Sequence, residues 1–218
     1  MPEHALSRLE RRKAETRAAL VRAAQTLIAA GRMNAPILEI TQAADVGMGS
    51  FYNHFENKEQ LYQAAVEAAL EAQGALLDDL TADLDDPAQA FAQSFRLTGR
   101  LHRREPAFSK VLLHYGFALT TSDNGLAPRA RRDIEAAVRE GRFTVRDPEL
   151  ALTTVAGAAL SLGWLLHEQP ERDDAVATDQ VTEDLLRMLG LAAAEAHEIC
   201  TRPLPDLDSA VGRLGVAA

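Results

Sequence analysis

The segment from Ile37 to Lys58, ILEITQAADVGMGSFYNHFENK, constrains this chain more than any other. Ile37, Ile40, Ala43 and Ala44 recur at helical spacing, so a short helix can bury one apolar face there. Pro36 suits its first helical position, where a missing N–H costs nothing. Asp45-Val46-Gly47 then breaks the pattern with two residues that tolerate the backbone angles of a sharp turn. A second helix is expected from Met48 to Phe55, with Phe51 and Phe55 four apart and facing inward while Ser50, Tyr52, Asn53 and His54 point elsewhere. Short polar and aromatic side chains on a helix able to enter a major groove are what base edges and phosphates require.

The run Ile40-x-x-Ala43-Ala44-x-Val46-x-x-Gly49-Ser50-Phe51-Tyr52-x-His54-Phe55-x-x-Lys58-Glu59-x-Leu61 resembles the helix-turn-helix signature of the tetracycline-repressor (TetR) family of bacterial transcription regulators. The resemblance covers residues 10–70 well and the remainder by general architecture. It implies that Met48, Gly49, Ser50 and Asn53 approach bases or backbone of double-stranded DNA while Tyr52, His54 and Lys58 bind phosphates. The chemistry agrees: hydroxyl, imidazole and ammonium groups all donate to phosphate, and Asn53 can pair with an adenine edge. The resemblance further implies that helices four to eight enclose a small-molecule pocket and that helices eight and nine pair with a second subunit. The implied protein is a homodimeric repressor released from a palindromic operator by a small-molecule effector.

Two departures stand out. Ala35-Pro36-Ile37 replaces the usual threonine at the start of the second helix, so the hydroxyl that would cap it and touch phosphate is absent. Asp45 stands where glycine is usual, which brings an acid near DNA. Somewhat weaker, more salt-sensitive binding follows as the expectation. An alternative of another class is a helical ligand-binding or scaffold dimer that has lost DNA reading.

Net charge is −9, against a polyanionic partner at first sight, but it is unevenly spread. Residues 1–32 hold seven basic side chains (Arg8, Arg11, Arg12, Lys13, Arg17, Arg22, Arg32) against Glu3, Glu10 and Glu15, which leaves +4 there and −13 in the rest. A basic segment beside the head suits phosphate contact by one end only. Aromatics are scarce and Ala/Leu/Glu/Arg stretches recur, so an all-α fold of about nine or ten helices is expected. The expected division is a helix-turn-helix DNA-binding domain at 1–56, a ligand-binding and dimerisation domain at 57–200 and a loose tail at 201–218. The opening residues contain no apolar core of a secretion signal, so a cytoplasmic protein is expected. The uncharged run Leu150 to Leu166 carries Thr153, Thr154, Ser161 and two glycines, which favours a buried helix over a membrane span.

Helix punctuation is legible along the chain. Ser7-x-x-Glu10 and Asn57-x-x-Gln60 have the form of capping boxes, the second placing Lys58 in the first turn of a helix expected to reach about Leu84. Asp86-Pro87, Glu105-Pro106 and Asp147-Pro148 read as helix starts, Pro128 opens a polar seventh helix, and Gly31, Gly141 and Gly190 read as stops.

No Gly-x-Ser-x-Gly, phosphate-cradling glycine loop or His-Glu-x-x-His occurs, so catalysis is not expected. None of the six histidines pairs three or four apart with another, and Cys200 is the only cysteine, so neither metal nor cofactor is expected. Phe95, His102, His114, Tyr115 and Trp164 are the pocket candidates, because they put aromatic surface or one polar tip into apolar helices.

Overall fold

The computed structural model describes residues 7–119 and 124–206, and every regular element among them is an α-helix. In chain order they are α1 (Arg8–Ala29), α2 (Ile37–Ala43), α3 (Met48–Tyr52), α4 (Lys58–Thr81), α5 (Pro87–Arg104), α6 (Pro106–Leu119), α7 (Leu126–Arg139), α8 (Pro148–Glu168), α9 (Asp174–Met188) and α10 (Ala193–Thr201). Two compact units result, residues 1–69 and 70–218, with the division inside α4.

The first unit is a three-helix head continued by the first part of α4. Ser7 caps α1 as expected: its hydroxyl accepts from the Glu10 N–H at 3.2 Å and the Glu10 carboxylate accepts from the Ser7 N–H at 2.8 Å. Leu20, Ala24, Ile40, Phe51 and Leu61 are fully buried and supply the interior. Burial of a large apolar side chain contributes about 1.5–3 kcal/mol.

Three local expectations shift. Pro36 is the residue before α2, not its first; its carbonyl accepts from the Glu39 and Ile40 N–H groups at 3.0 and 3.2 Å, and no side chain caps the helix. Thr41 is buried on α2 and Ala43 exposed, because the Thr41 hydroxyl satisfies itself on the Leu38 carbonyl at 2.9 Å. The second helix of the pair stops at Tyr52, and Phe55 is reached through a turn in which the His54 and Phe55 N–H groups both donate to the Phe51 carbonyl. Asp45 occupies the turn with φ 52°, the left-handed backbone anticipated for it.

In the second unit α5 packs against α6, α7, α8, α9 and α10. Asp86 caps α5 and Asp147 caps α8, each with proline next, as the sequence indicates. α4 ends at Thr81, short of Leu84, and α7 begins at Leu126 from Gly125, whose φ of 83° lets the chain enter the helix. Residues 202–206 belonged to the expected loose tail, yet the buried Arg96 donates to the Arg202 carbonyl at 2.8 Å and pairs with Asp179, while Leu204 packs against Leu76, Leu77 and Leu97. Residues 207–218 and most of the loop expected at 120–126 lie outside the described residues.

α8 alone among the described helices is long and apolar enough to cross a membrane, by length and composition only. One of its sides is buried through Leu152, Val155, Leu162 and Leu166, while Leu150, Trp164 and Leu165 are exposed.

Candidate functional site

In the head, α3 follows Gly47, which offers it no side-chain cap. Positions 48, 49, 52 and 53 fall on one side of a helix, opposite 51. Burial follows that division: Phe51 is fully buried, whereas Met48, Gly49, Tyr52 and Asn53 are exposed. A Cβ on Gly49 would meet nothing within 4 Å, so the fold itself does not need glycine there. The Tyr52 ring stands edge-on to Phe51 at 5.2 Å between centroids. Ser50, His54 and Lys58 are half-buried.

The charges of α1 reach this surface. Burial and then the neighbouring cations Lys13 and Arg17 hold His54 below its ordinary pKa, and the Arg17 guanidinium lies over the Phe55 ring at 5.2 Å. Lys58 folds back over the head: its Nζ is 3.5 Å from the Ala35 carbonyl and 5.8 Å from the centre of the Tyr62 ring. The Asn57 side chain accepts from the Gln60 N–H at 2.8 Å, but the Gln60 side chain accepts from Glu56 rather than Asn57, so the capping box is displaced by one residue.

The second unit contains a cavity of about 140 Å³ bounded by α4 to α8. Its walls are mainly apolar, with Phe91, Phe95, Leu112, Leu152, Val155 and Leu160 among them. The Ser94 and Thr98 hydroxyls lie on the wall; Thr98 accepts from Gln73 at 3.3 Å, which leaves its own proton to donate.

One side of the cavity is charged. Arg129 donates to both Glu71 oxygens and to Asp78, while Arg132 donates to Asp78 and Asp133. The Arg129 hydrogen bonds, with one from the Gly125 N–H, bring Glu71 down to about 2. Burial alone would raise Asp78, but Arg129 and Arg132 bring it below its ordinary value. Burial prevails at Asp133 and pushes it up despite Arg132. Gly74 leaves the room that Arg129 occupies, since a Cβ there would lie 2.6 Å from Nη1.

At another side the buried His102 ring sits against Gly163, where a Cβ would overlap it. Ser109 Oγ bridges His102 Nδ1 at 2.6 Å and His167 Nε2 at 2.9 Å. Burial, and then the neighbouring His167, bring His102 down to about 4, so its ring is neutral near pH 7.

Of the pocket residues read from the sequence, Phe95 and His102 line the cavity, while His114, Tyr115 and Trp164 do not. His114 is exposed and stands edge-on to Tyr115, and Trp164 is 63% exposed on the outer side of α8. Asp78, Arg129, Arg132 and Asp133 were not among the sequence candidates, because the pairing of Arg129 with Asp78 joins positions 51 apart. The helix-interior glycines Gly74 and Gly163 were the available signal: glycine there costs about 1 kcal/mol against alanine, so each marks a close neighbour.

A helix-turn-helix head joined to an all-helical unit that holds a cavity is the architecture of a class of helical transcription regulators. The chain belongs to the tetR family of bacterial regulatory proteins: the model of that family matches residues 19–65, and that of the tetracyclin repressor-like C-terminal domain matches residues 86–202. It is similar to RolR in complex with the ligand resorcinol, at 38% identity over 90% of this chain and 98% of that one, with a TM-score of 0.70. Ligand-free RolR is similar at 36% identity over 87% and 99%, with a TM-score of 0.72. A tetR-family regulator from Shewanella sp. PV-4 shares the fold at 16% identity over 81% and 99%, with a TM-score of 0.61. No curated protein matches the chain.

Proposed function

We propose that this protein is a cytoplasmic, homodimeric transcriptional repressor that leaves a palindromic operator when a small, single-ring aromatic effector enters the cavity of its second unit. The observation that carries this reading is the cavity. At about 140 Å³ it is close to the roughly 150 Å³ of an apolar cavity that holds benzene. Its Ser94, Thr98 and charged side suit an aromatic bearing hydroxyl groups. Resorcinol, the ligand of RolR, is such a molecule and is the first to try.

The surface of Met48, Gly49, Tyr52 and Asn53, with Ser50, His54 and Lys58 beside it, is the DNA-contacting face in this reading. Exposed Leu150, Trp164 and Leu165 on α8 and Val176 and Met188 on α9 support pairing of two subunits through those helices. A dimer supplies two half-sites at the spacing of successive major grooves. Since α4 runs from Lys58 to Thr81 and spans both units, it is the element through which a guest in the cavity can alter the head.

Fluorescence anisotropy of the full chain on its own upstream DNA, with and without resorcinol, tests this. Sequence-dependent binding that resorcinol weakens supports it; absence of sequence-dependent binding at low salt overturns it. The uncapped α2 and the acid at Asp45 favour the second reading, a ligand-binding dimer without DNA reading. Ligand binding with no salt-dependent DNA affinity would establish that one.

A further inference from the structure

We propose that His102 is the hydrogen-bond donor with which the cavity selects its effector, and that Ser109 and His167 are positioning residues holding its imidazole in the Nε2–H form. This rests on the reading of the cavity as the effector site.

The Ser109 hydroxyl is buried and lies between His102 Nδ1 and His167 Nε2. It has one proton, so it can donate to only one of the two neutral rings. The contact lengths choose the direction. The contact to His102 is 2.6 Å and that to His167 is 2.9 Å, the order expected when an O–H donates to the first and an N–H of the second donates to the hydroxyl. The chain of donation therefore runs from His167 Nε2–H to Ser109 Oγ–H to His102 Nδ1.

His102 lines the cavity. With Nδ1 held by Ser109, Nε2–H is the group its ring has left for a guest. Nδ1 is unavailable, so this wall offers a donor only. It favours a guest with an ether, hydroxyl or carbonyl oxygen at that point and disfavours one that presents only a donor. Gly163 keeps the ring flat against α8, which fixes where that oxygen must lie.

Anisole and ethylbenzene, of nearly the same shape but differing by the oxygen, separate the possibilities by calorimetric titration of the full chain. The protein is expected to bind anisole about fivefold more tightly, the scale of one neutral hydrogen bond. Ser109→Ala and His167→Leu should erase that preference, while His167→Gln, which keeps an N–H for Ser109, should retain it. Nitrogen-15 NMR of the unmodified protein should show His102 protonated at Nε2, and Ser109→Ala should mix the tautomers. A preference that persists in Ser109→Ala, or a His102 ring protonated at Nδ1 in the unmodified protein, overturns the proposal. If both probes bind equally, the donor role alone falls; if neither binds, the reading of the cavity falls with it.

Discussion

Arg129 grips Glu71 with both ends of its guanidinium, Nη1 to Oε2 at 2.9 Å and Nη2 to Oε1 at 2.8 Å, while its Nε holds Asp78 at 2.7 Å. One side chain of α7 thereby clasps α4 at two points on the same face, about two turns apart. Glu71→Gln keeps the shape but loses the charge. Because the Glu71 side chain is 47% exposed, solvent screens the pair and the expected loss is only about 0.5–1 kcal/mol. Arg129→Ala leaves Glu71 without its ion pair and Asp78 with Arg132 alone, and should cost about 1–3 kcal/mol. Urea denaturation measures both, and an unchanged midpoint for Arg129→Ala would reduce the clasp to decoration.

Acid should weaken the protein in two stages. His102 drops from an ordinary 6.5 to about 4 on folding, so between those values the unfolded chain takes up the proton first. Its contribution is complete above about pH 6.5, is lost as pH falls toward 4, and changes no further below. His54 and His167 are shifted the same way. Glu71, lowered from 4.5 to about 2, adds a second loss between those values. Thermal melts across pH should show both slopes, with His102→Gln flattening only the upper one; an unaltered upper slope would refute the assignment to His102.

Asp45 holds φ 52° without being glycine. Asp45→Gly removes the Cβ crowding of the left-handed backbone, and the expected gain, after the added freedom of the unfolded chain, is about 0.5–1 kcal/mol. It also removes an acid from the head, so DNA affinity should rise, most at low salt where the repulsion is least screened. Melting of the full chain and anisotropy at several salt concentrations check the two effects separately.

Gly49 allows stability and recognition to be pulled apart. An Ala there meets open space and improves helix propensity, by up to about 1 kcal/mol, so Gly49→Ala should melt no lower than the parent. If α3 lies against a duplex by that face, the same methyl group should cut DNA affinity at least as much as Tyr52→Phe does. Equal affinity for parent and Gly49→Ala would remove Gly49 from the contact face.

How much of this was legible depended on how local each signal is. The caps at Ser7, Asp86 and Asp147 are written within four residues, and the helices begin where those residues place them. The start of α7 was not, because Gly125 enters it through a positive φ that reads equally well as a loop. The head's candidate face comes from one continuous segment and could be read directly. The cavity is assembled from five helices, and the pairing of Arg129 with Glu71 joins positions 58 apart, for which no local pattern exists. Bulk was the poorest guide: Trp164, the largest side chain on α8, faces outward, while the small Gly163 beside it receives the His102 ring.

That outward indole is the only tryptophan in the chain and is 63% exposed. The protein therefore carries its own optical reporter at the surface through which two subunits are proposed to meet. Indole in water emits to the red and indole covered by another subunit to the blue, so a dilution series of unlabelled protein reads subunit separation directly from emission colour. Constant red emission at every concentration would mean that this part of α8 faces solvent in the assembled protein as well.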